Sequence, residues 1–282
     1  MENQLELLLK HAELQVVEFN VHQRREMQTF NRTLPYYILS YHKKGYAQLR
    51  VGDQHYTVAP GMVICIPPYV EHDHYKGTHE ESVFLWWHFK FQIAGVVDVM
   101  KMFSLPLIFR LHDSERFEQV FHQFMESTAP SRYLPSTILK QAKAWELLYI
   151  ILDSVIELDE ADDSEGMVHI PSQSFLSILC QIVQHPERQL SLQGLADELH
   201  MHPTYICNRF KELFGKSPIQ MQREMKIQRA KTLLETTELP VTKISQVLGY
   251  NEVQNFTRLF KSYVGVSPSQ FRNLNIRWRE AK

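Results

Sequence analysis

Apolar positions follow two different periods along the chain. Between about Tyr36 and Phe91, short segments rich in β-branched and aromatic residues alternate with turn signals such as KKG, VGD and APG. These segments read YYILSY, YAQLRV, HYTVAP, MVICIPP and SVFLWWHFKF. Short strands at regular spacing predict an antiparallel sandwich or barrel.

From Asp113 onward the apolar residues recur at helical spacing. DSERFEQVFHQFMES carries them at i, i+3, i+4 and i+7 behind an Asp or Ser cap, which predicts a helix with one apolar face. A second helix, about Ser136 to Ile156, is apolar over a wider arc, so it is either buried within the monomer or part of a dimer seam. The acidic stretch ELDEADDSEG that follows has no apolar period and is typical of a flexible linker.

One short sequence motif occurs twice near the C-terminus. FKELFGKSP (210–218) and FKSYVGVSP (260–268) share Phe, Lys, Gly, Ser and Pro at an offset of 50 positions. Each phrase ends a pair of short helical patterns separated by a break, with a small residue, Ala196 or Ser245, in the middle of the first pattern. Two short helices joined by a tight turn predict a helix-turn-helix, here present twice. The segment between them is rich in helix formers and predicts one long connecting helix.

Charge is unevenly distributed between the two parts of the chain on either side of Pro171. The formal net charge is −2, but Lys and Arg outnumber Asp and Glu by 15 to 9 from Pro171 onward, against 15 to 23 before it. A basic C-terminal part is compatible with a polyanionic partner. The three cysteines form no C-x-x-C pair, which argues against a disulfide framework or a zinc ribbon.

The N-terminal segment and the hydropathy of the chain bear on its cellular location. No apolar run reaches the roughly 18 residues needed to span a bilayer, and MENQLELLLKHAEL lacks the pattern of a secretory signal. We therefore expect a cytoplasmic protein with no membrane partner.

The region from about Phe175 to Arg272 resembles the DNA-binding domain of the AraC/XylS family of transcription regulators. SLQGLADELHMHPTYICNRFKELFGKSP, KIQRAKTLLETT and VTKISQVLGYNEVQNFTRLFKSYVGVSPSQFR follow the family's pattern through roughly 100 residues, including the spacing of the two motifs. The resemblance implies sequence-specific binding to promoter DNA, usually activation of transcription by RNA polymerase, and control by an effector.

Polar side chains near the start of each second helix are the predicted base readers, since the apolar face is committed to the core. In the second copy they are Gln254, Asn255, Thr257 and Arg258. In the first copy they are Thr204, Tyr205, Cys207 and Asn208. Arginine suits guanine, and Gln or Asn suits adenine. Lys211 and Lys261 are predicted to contact phosphate.

The first copy departs from the family, which usually has Arg followed by Leu where this chain has Asn208 and Arg209. Its base contacts are therefore less defined than those of the second copy. For any one of these polar side chains, a solvated helix face is the alternative.

A second resemblance lies in PGMVICIPPYVEHDHYKG. Gly61, Pro67 and His72 are spaced as in the second motif of the cupin fold, a small antiparallel β-barrel, and the ligand-binding domain of AraC-like proteins is of that type. In cupin enzymes the corresponding His binds a metal together with an upstream His-x-His and a Glu. No His-x-His precedes Gly61, so we expect no catalytic residues, no metal and no other cofactor.

Histidines and aromatic residues around this motif are predicted to bind the effector: His72, His74, Tyr75, Trp86, Trp87 and His88. Aromatic rings with a few polar groups suit a sugar, whose C–H face stacks on a ring while its hydroxyls form hydrogen bonds. Alternation puts Trp86 and His88 on one strand face and Trp87 and Phe89 on the other, without saying which face lines the pocket.

Together these patterns predict an α+β protein of two domains. The N-terminal part is a cupin-like antiparallel β-barrel (1–112) followed by coupling and dimerisation helices (113–158). A linker (159–172) leads to an all-α domain with two helix-turn-helix units (173–274) and a tail (275–282). We expect a homodimeric, sugar-responsive DNA-binding regulator of a metabolic operon. Two alternatives stay open: a metal-dependent cupin enzyme fused to a DNA-binding domain, and an adaptor whose N-terminal domain binds a partner protein.

Overall fold

A computed structural model describes residues 4–76, 79–103, 105–126, 134–156 and 171–280, the last six by their backbone alone. The chain divides into two compact modules. The sheet module comprises Glu13–Phe91 and Phe103–Ile170, and the helical module comprises Pro171–Lys282 with Met1–Ala12 and Gln92–Met102. Residues 159–170 of the predicted linker and 281–282 of the predicted tail lie outside the described residues.

The strands form two sheets. Within the described residues there are ten strands: β1 (Ala12–Arg24), β2 (Gln28–Arg32), β3 (Tyr37–Lys44), β4 (Ala47–Val51), β5 (Gln54–Val58), β6 (Met62–Ile66), β7 (His72–Tyr75), β8 (Ser82–Ile93), β9 (Val97–Asp98) and β10 (Ile108–Arg110). One sheet has the order β1-β8-β3-β6-β10, with β9 paired to β8, and the other has the order β2-β7-β4-β5. All five strands predicted from the sequence between Tyr36 and Phe91 are confirmed.

An apolar core lies between the sheets. It joins residues of the first sheet, such as Ile38, Ile64 and Phe84, to Leu49 and Val58 of the second. Antiparallel pairing of β3 with β8 aligns side chains on the inner face: Ile38 opposite His88, Ser40 opposite Trp86, and His42 opposite Phe84. Alternation therefore sends these six side chains to one side of the sheet.

The other face of this sheet is covered by helices. These are α2 (Ser114–Glu126) and α3 (Leu134–Ile156), both predicted from their helical period. The ring of Tyr41 lies 5.4 Å from that of Phe117, and its hydroxyl donates to Glu118 Oε1 at 3.0 Å. On α3 one face is buried, whereas Ile138, 61% exposed, and Leu139, 49% exposed, lie on the surface. The described residues thus bury only part of the wide apolar arc of α3.

The first 35 residues contain elements that the apolar pattern did not predict: α1 (Gln4–Leu9), β1 and β2. In β1 the alternation changes phase, since Leu14 and Val16 are followed by Phe19 and Val21. A strand whose period-2 pattern slips by one residue does not read as a strand.

The helical module contains the predicted pairs of short helices. Its elements are α4 (Gln173–Gln184), α5 (Leu192–Leu199), α6 (Pro203–Phe214), α7 (Pro218–Thr236), α8 (Val241–Val247), α9 (Val253–Val264) and α10 (Pro268–Glu280). The first unit is α5 with α6, the second unit is α8 with α9, and α7 is the predicted connecting helix. The helix α1 packs against α4, where Cys180 Sγ donates to the Gln4 carbonyl at 3.3 Å. None of the described helices is long and apolar enough to cross a membrane.

Candidate functional site

The second helix of the second unit, α9, has a fully buried apolar face and an open polar face. Phe256 and Phe260 are 0% exposed. The predicted readers Gln254, Asn255 and Arg258 and the predicted phosphate contact Lys261 are exposed, and Thr257 is half-buried. Since the phenylalanines fix the rotation of the helix, they also fix which residues can meet a groove.

A chain of hydrogen bonds orients the arginine on α9. Arg258 Nη2 donates to Asn255 Oδ1 at 2.8 Å, and Asn255 Nδ2 donates to Glu252 Oε2 at 3.3 Å. The direct partner of the guanidinium is a neutral amide, so its charge is not cancelled by the contact. Glu252, which precedes the helix, was not predicted from the sequence as a site residue.

The second helix of the first unit, α6, is built differently. It begins at His202, whose Nδ1 accepts from the Thr204 amide at 3.3 Å. Tyr205 is exposed, and its ring meets that of Phe175 edge-on at 6.4 Å. Arg209 Nη1 is paired with Glu212 Oε2 at 2.8 Å. The arginine of α6 is therefore bound to an acid of its own helix.

The remaining predicted residues of α6 lie beside these groups. Thr204, Asn208 and Lys211 are exposed, and Cys207 is half-buried. Ile206 and Phe210, both 0% exposed, fill the opposite face. The structure thus brings each predicted set together on one open face of its helix.

A cavity of about 130 Å³ lies in the sheet module. Its walls come from β1, β2, β3, β7 and β8 and from the turn between β1 and β2: His22, Arg24, Met27, Thr29, Arg32, Ile38, Ser40, His74, Phe84, Trp86 and His88. Three of the six predicted effector residues, His74, Trp86 and His88, line it. The structure therefore selects the Trp86 face of β8.

The other three predicted effector residues lie away from the cavity walls. Trp87 is 0% exposed on the opposite face of β8 and stacks on Phe89 with ring centroids 4.7 Å apart. Tyr75 packs against Phe30 at 5.6 Å. The ring of His72 is buried, with Nδ1 3.1 Å from the Val70 carbonyl.

The histidines around the cavity are neutral at physiological pH. Burial lowers the pKa of His42 to about 4. Burial, with the positive charge of Arg32 as a further cause, lowers the pKa of His74 to about 3 and that of His88 to about 4. Uncharged imidazoles can accept as well as donate hydrogen bonds.

Four buried polar atoms of the cavity residues have no hydrogen-bond partner within the described chain: Ser40 Oγ, His74 Nε2, Trp86 Nε1 and His88 Nδ1. Because buried polar groups are almost always hydrogen-bonded, such a cluster indicates a place for a polar molecule.

Several polar side chains that line the cavity were not predicted from the sequence. His22 and Arg24 lie on β1, Arg32 lies on β2 and Ser40 on β3. The first three were hidden because neither β1 nor β2 was predicted. Ser40 could have been predicted, because strand alternation places it on the same face of β3 as Ile38, which points into the interior.

A metal centre finds no ligand set among the described residues. They hold no group of three or more His, Cys, Asp or Glu side chains placed to bind a metal ion. His42 and His74, whose ring centroids lie 5.3 Å apart, are a pair of imidazoles and not a set of three ligands. The metal-enzyme alternative thus gains no support from these side chains.

Family models match both modules. Residues 17–148 match an AraC-like ligand binding domain, and residues 195–274 match a helix-turn-helix domain. The first of these spans β1 to α3, and the second runs from α5 to α10.

Several curated proteins are similar over most of their length. The arabinose operon regulatory protein of Salmonella typhimurium is 23% identical over 84% of this chain and 83% of its own. The MmsAB operon regulatory protein of Pseudomonas aeruginosa is 24% identical over 84% and 75%. Among solved structures, fatty-acid-bound ToxT of Vibrio cholerae covers 92% of this chain and 94% of its own at 15% identity, with a TM-score of 0.37, too low to support an argument. With both its domains matched and regulators of this type as its relatives, the chain belongs to the AraC family of transcription regulators.

Proposed function

We propose that the protein binds promoter DNA sequence-specifically through α6 and α9 and activates a metabolic operon in response to a sugar held in the sheet cavity. The observation that carries the DNA part is the repeated helix pair with one buried aromatic or aliphatic face and one open polar face. Gln254, Asn255, Thr257 and Arg258 then read bases in the second unit, and Thr204, Tyr205, Cys207 and Asn208 do so in the first. Lys211 and Lys261 contact phosphate.

The sugar part rests on the chemistry of the cavity. Trp86 supplies a ring for a C–H face, and unpartnered polar atoms of Ser40, His74 and His88 supply partners for hydroxyls. The relative from Salmonella typhimurium carries arabinose in its name, which supports the same class of effector.

The remaining partners follow from this role. A homodimer would bury the exposed apolar face of α3 around Ile138 and Leu139. RNA polymerase is the partner that an activator must contact, and the cytoplasm is where its promoter lies. The predicted domain boundaries, with sensor, coupling helices, linker and DNA-binding region, are part of this proposal. So is the lack of an enzymatic activity.

The test is a selection of random duplex DNA by the purified full-length protein, followed by sequencing. We expect two short half-motifs about one helical turn, ~34 Å, apart, because two recognition helices on one face of B-DNA enter successive major grooves. The matched control is Arg25→Ala, which removes an exposed arginine of the sheet module and should leave the motif unchanged.

Three outcomes are distinguishable. A single half-motif would limit base reading to one unit. The absence of any enriched motif would overturn sequence-specific binding. An unchanged motif with Arg258→Ala would overturn the assignment of that reader.

A further inference from the structure

The cavity carries positive charge without a matching acid. Arg24, which is exposed, and Arg32, which is half-buried, both line it. Among the ion pairs of the described residues, none joins a carboxylate to either guanidinium. One lining side chain does contact an acid, since Glu18 Oε2 lies 3.5 Å from His88 Nδ1, but Glu18 is itself largely exposed.

The histidines do not explain this charge or offset it. The rings of His74 and His88 are neutral, and the field of Arg32 is one cause of their low pKa values. His22, a further wall of the cavity, also has a lowered pKa, through burial and the charge of Arg24. The positive potential at this site therefore comes from the two arginines.

The position of Arg32 is set by a β-bulge. Thr29 and Arg32 are three residues apart, so a regular strand would send them to opposite faces, yet both line the cavity. The pairing of β2 with β7 shifts register between these two residues. A bulge of this kind redirects a side chain and is often found beside functional sites.

The bulge is held in place by an ion pair. Asn31, within it, has a φ of 50°, and its amide donates to Asp73 Oδ1 at 2.7 Å. Asp73 Oδ2 accepts from Arg50 Nε at 2.6 Å, and this contact is the main cause of the lowered pKa of Asp73. Asp73 and Arg50 thus stabilise the left-handed backbone of Asn31. The bulge around Asn31 in turn directs Arg32 into the cavity.

The cavity also offers groups for a neutral part of a ligand. Ser40 is 3% exposed and His88 is 1% exposed, and each has a buried polar atom that makes no hydrogen bond within the described chain. Trp86 also lines the cavity, opposite Ser40 in the strand pairing and with its ring 4.6 Å from that of His88. The site thus offers two guanidinium groups to an anion, and neutral groups to hydroxyls and a C–H face.

We propose that the effector is an anionic sugar, whose charged group is bound by Arg24 and Arg32 and whose hydroxyls bind Ser40, His74 and His88. Arginine is suited to this because its planar fork binds a carboxylate or a phosphate through two parallel hydrogen bonds. The inference rests on the proposed function, since it specifies the class of sugar that the same cavity takes.

Matched pairs of sugars test the proposal on the unmodified full-length protein. Isothermal titration compares D-galacturonate with D-galactose and D-glucuronate with D-glucose, and D-glucose 6-phosphate separates phosphate from carboxylate as the anion. Because Trp86 lines the cavity, a change in the protein's tryptophan fluorescence that is lost in Trp86→Phe reports occupancy independently. We expect an anionic member to bind roughly tenfold to a hundredfold more tightly than its neutral partner, as a charged hydrogen bond predicts.

Variants locate the charge. Arg32→Gln should abolish the preference for the anionic sugar, whereas Arg32→Lys should retain part of it. The matched control is Arg25→Gln, which removes a neighbouring exposed cation that does not line the cavity. If Arg32→Gln does not fold, Arg32→Lys and the comparison of anionic with neutral sugars on the unmodified protein still test whether the site prefers an anion.

The outcomes separate this inference from the proposed function. Equal or tighter binding of the neutral sugars, unaffected by Arg32→Gln, would overturn the anionic class and leave a sugar effector in place. If no sugar of either kind binds while the selected DNA is still bound, the sugar effector fails and the inference fails with it.

Discussion

The first and second helix-turn-helix units share a buried pattern but differ on the surface. Phe210 and Phe260, which stand at the repeat offset, are both 0% exposed. On the open side, Arg209 of the first unit is bound by Glu212, whereas Arg258 of the second is oriented by the neutral Asn255. The position that holds Glu212 in the first unit is Ser262 in the second. A repeat can thus keep its core while, among the described residues, only the second copy has on its open face an arginine whose side-chain partner is neutral.

The turns differ as well. Both pass through a left-handed residue, His200 with φ 53° in the first unit and Gly249 with φ 77° in the second. A Cβ at position 249 would lie 2.1 Å from the Glu187 carbonyl oxygen. The second turn is therefore packed against backbone where the first has room for an imidazole.

The largest effect should come from Gly249→Ala. The new methyl group would clash with a backbone oxygen and force a left-handed alanine, so we expect a loss of roughly 2–4 kcal/mol in the free energy of unfolding. Urea denaturation followed by circular dichroism measures it. His200→Ala is the matched control and should change stability by no more than about 0.5 kcal/mol. Equal losses for both variants would contradict the difference between the turns.

Arg258→Ala should have the next largest effect, and on binding instead of folding. We expect a loss of about 1–3 kcal/mol on the selected duplex and relaxed preference at one base pair. Fluorescence anisotropy with a panel of single-base variants measures both. Asn208→Ala is the matched change in the first unit and should lose less. If Asn208→Ala costs more than Arg258→Ala, the first unit is the main reader.

Ser191→Ala tests helix capping. A serine side chain caps the first helix of the first unit, whereas no side chain caps the first helix of the second unit. Ser191 Oγ accepts from the Gly194 amide at 3.0 Å at the start of α5, whereas α8 begins after Pro240 with no side-chain cap. We expect a loss of about 1 kcal/mol in the free energy of unfolding. Ser191→Thr keeps a hydroxyl cap and should recover most of the loss, and failure to recover it would point to packing instead.

The smallest effects should come from exchanging the acid between the units. Glu212→Ser frees Arg209 and should tighten DNA binding by less than about 1 kcal/mol, the range of an exposed ion pair. Ser262→Glu places an acid beside Lys261 and should weaken binding by a similar amount. Measurement across a salt series is informative, since the slope should steepen for the first variant and flatten for the second. If Glu212→Ser weakened DNA binding and Ser262→Glu tightened it, the electrostatic explanation of the difference between the two helices would be wrong.

How far the sequence predicted the structure depends on how each residue is positioned. The open faces of α6 and α9 followed from helical period, because Ile206 and Phe256 can be buried in only one rotation of each helix. Trp86 and Trp87 were both candidates because alternation defines two faces, and only the packing of α2 and α3 decides which is outer. Arg32 could not be predicted, since a bulge breaks the alternation that would have placed it.

The uncharged imidazoles of the sheet module have a consequence for acid tolerance. The pKa of His42 is lowered from 6.5 to about 4 by burial, so the unfolded chain takes up a proton there that the folded chain refuses. Stability from this group is complete above pH 6.5 and declines as the pH falls toward 4, with about 2 kcal/mol lost at pH 5. His74 and His88 act in the same direction. The sheet module therefore becomes less stable as the pH falls from 6.5 toward 5, because unfolding takes up protons at these imidazoles, while the same imidazoles stay largely neutral in the folded chain.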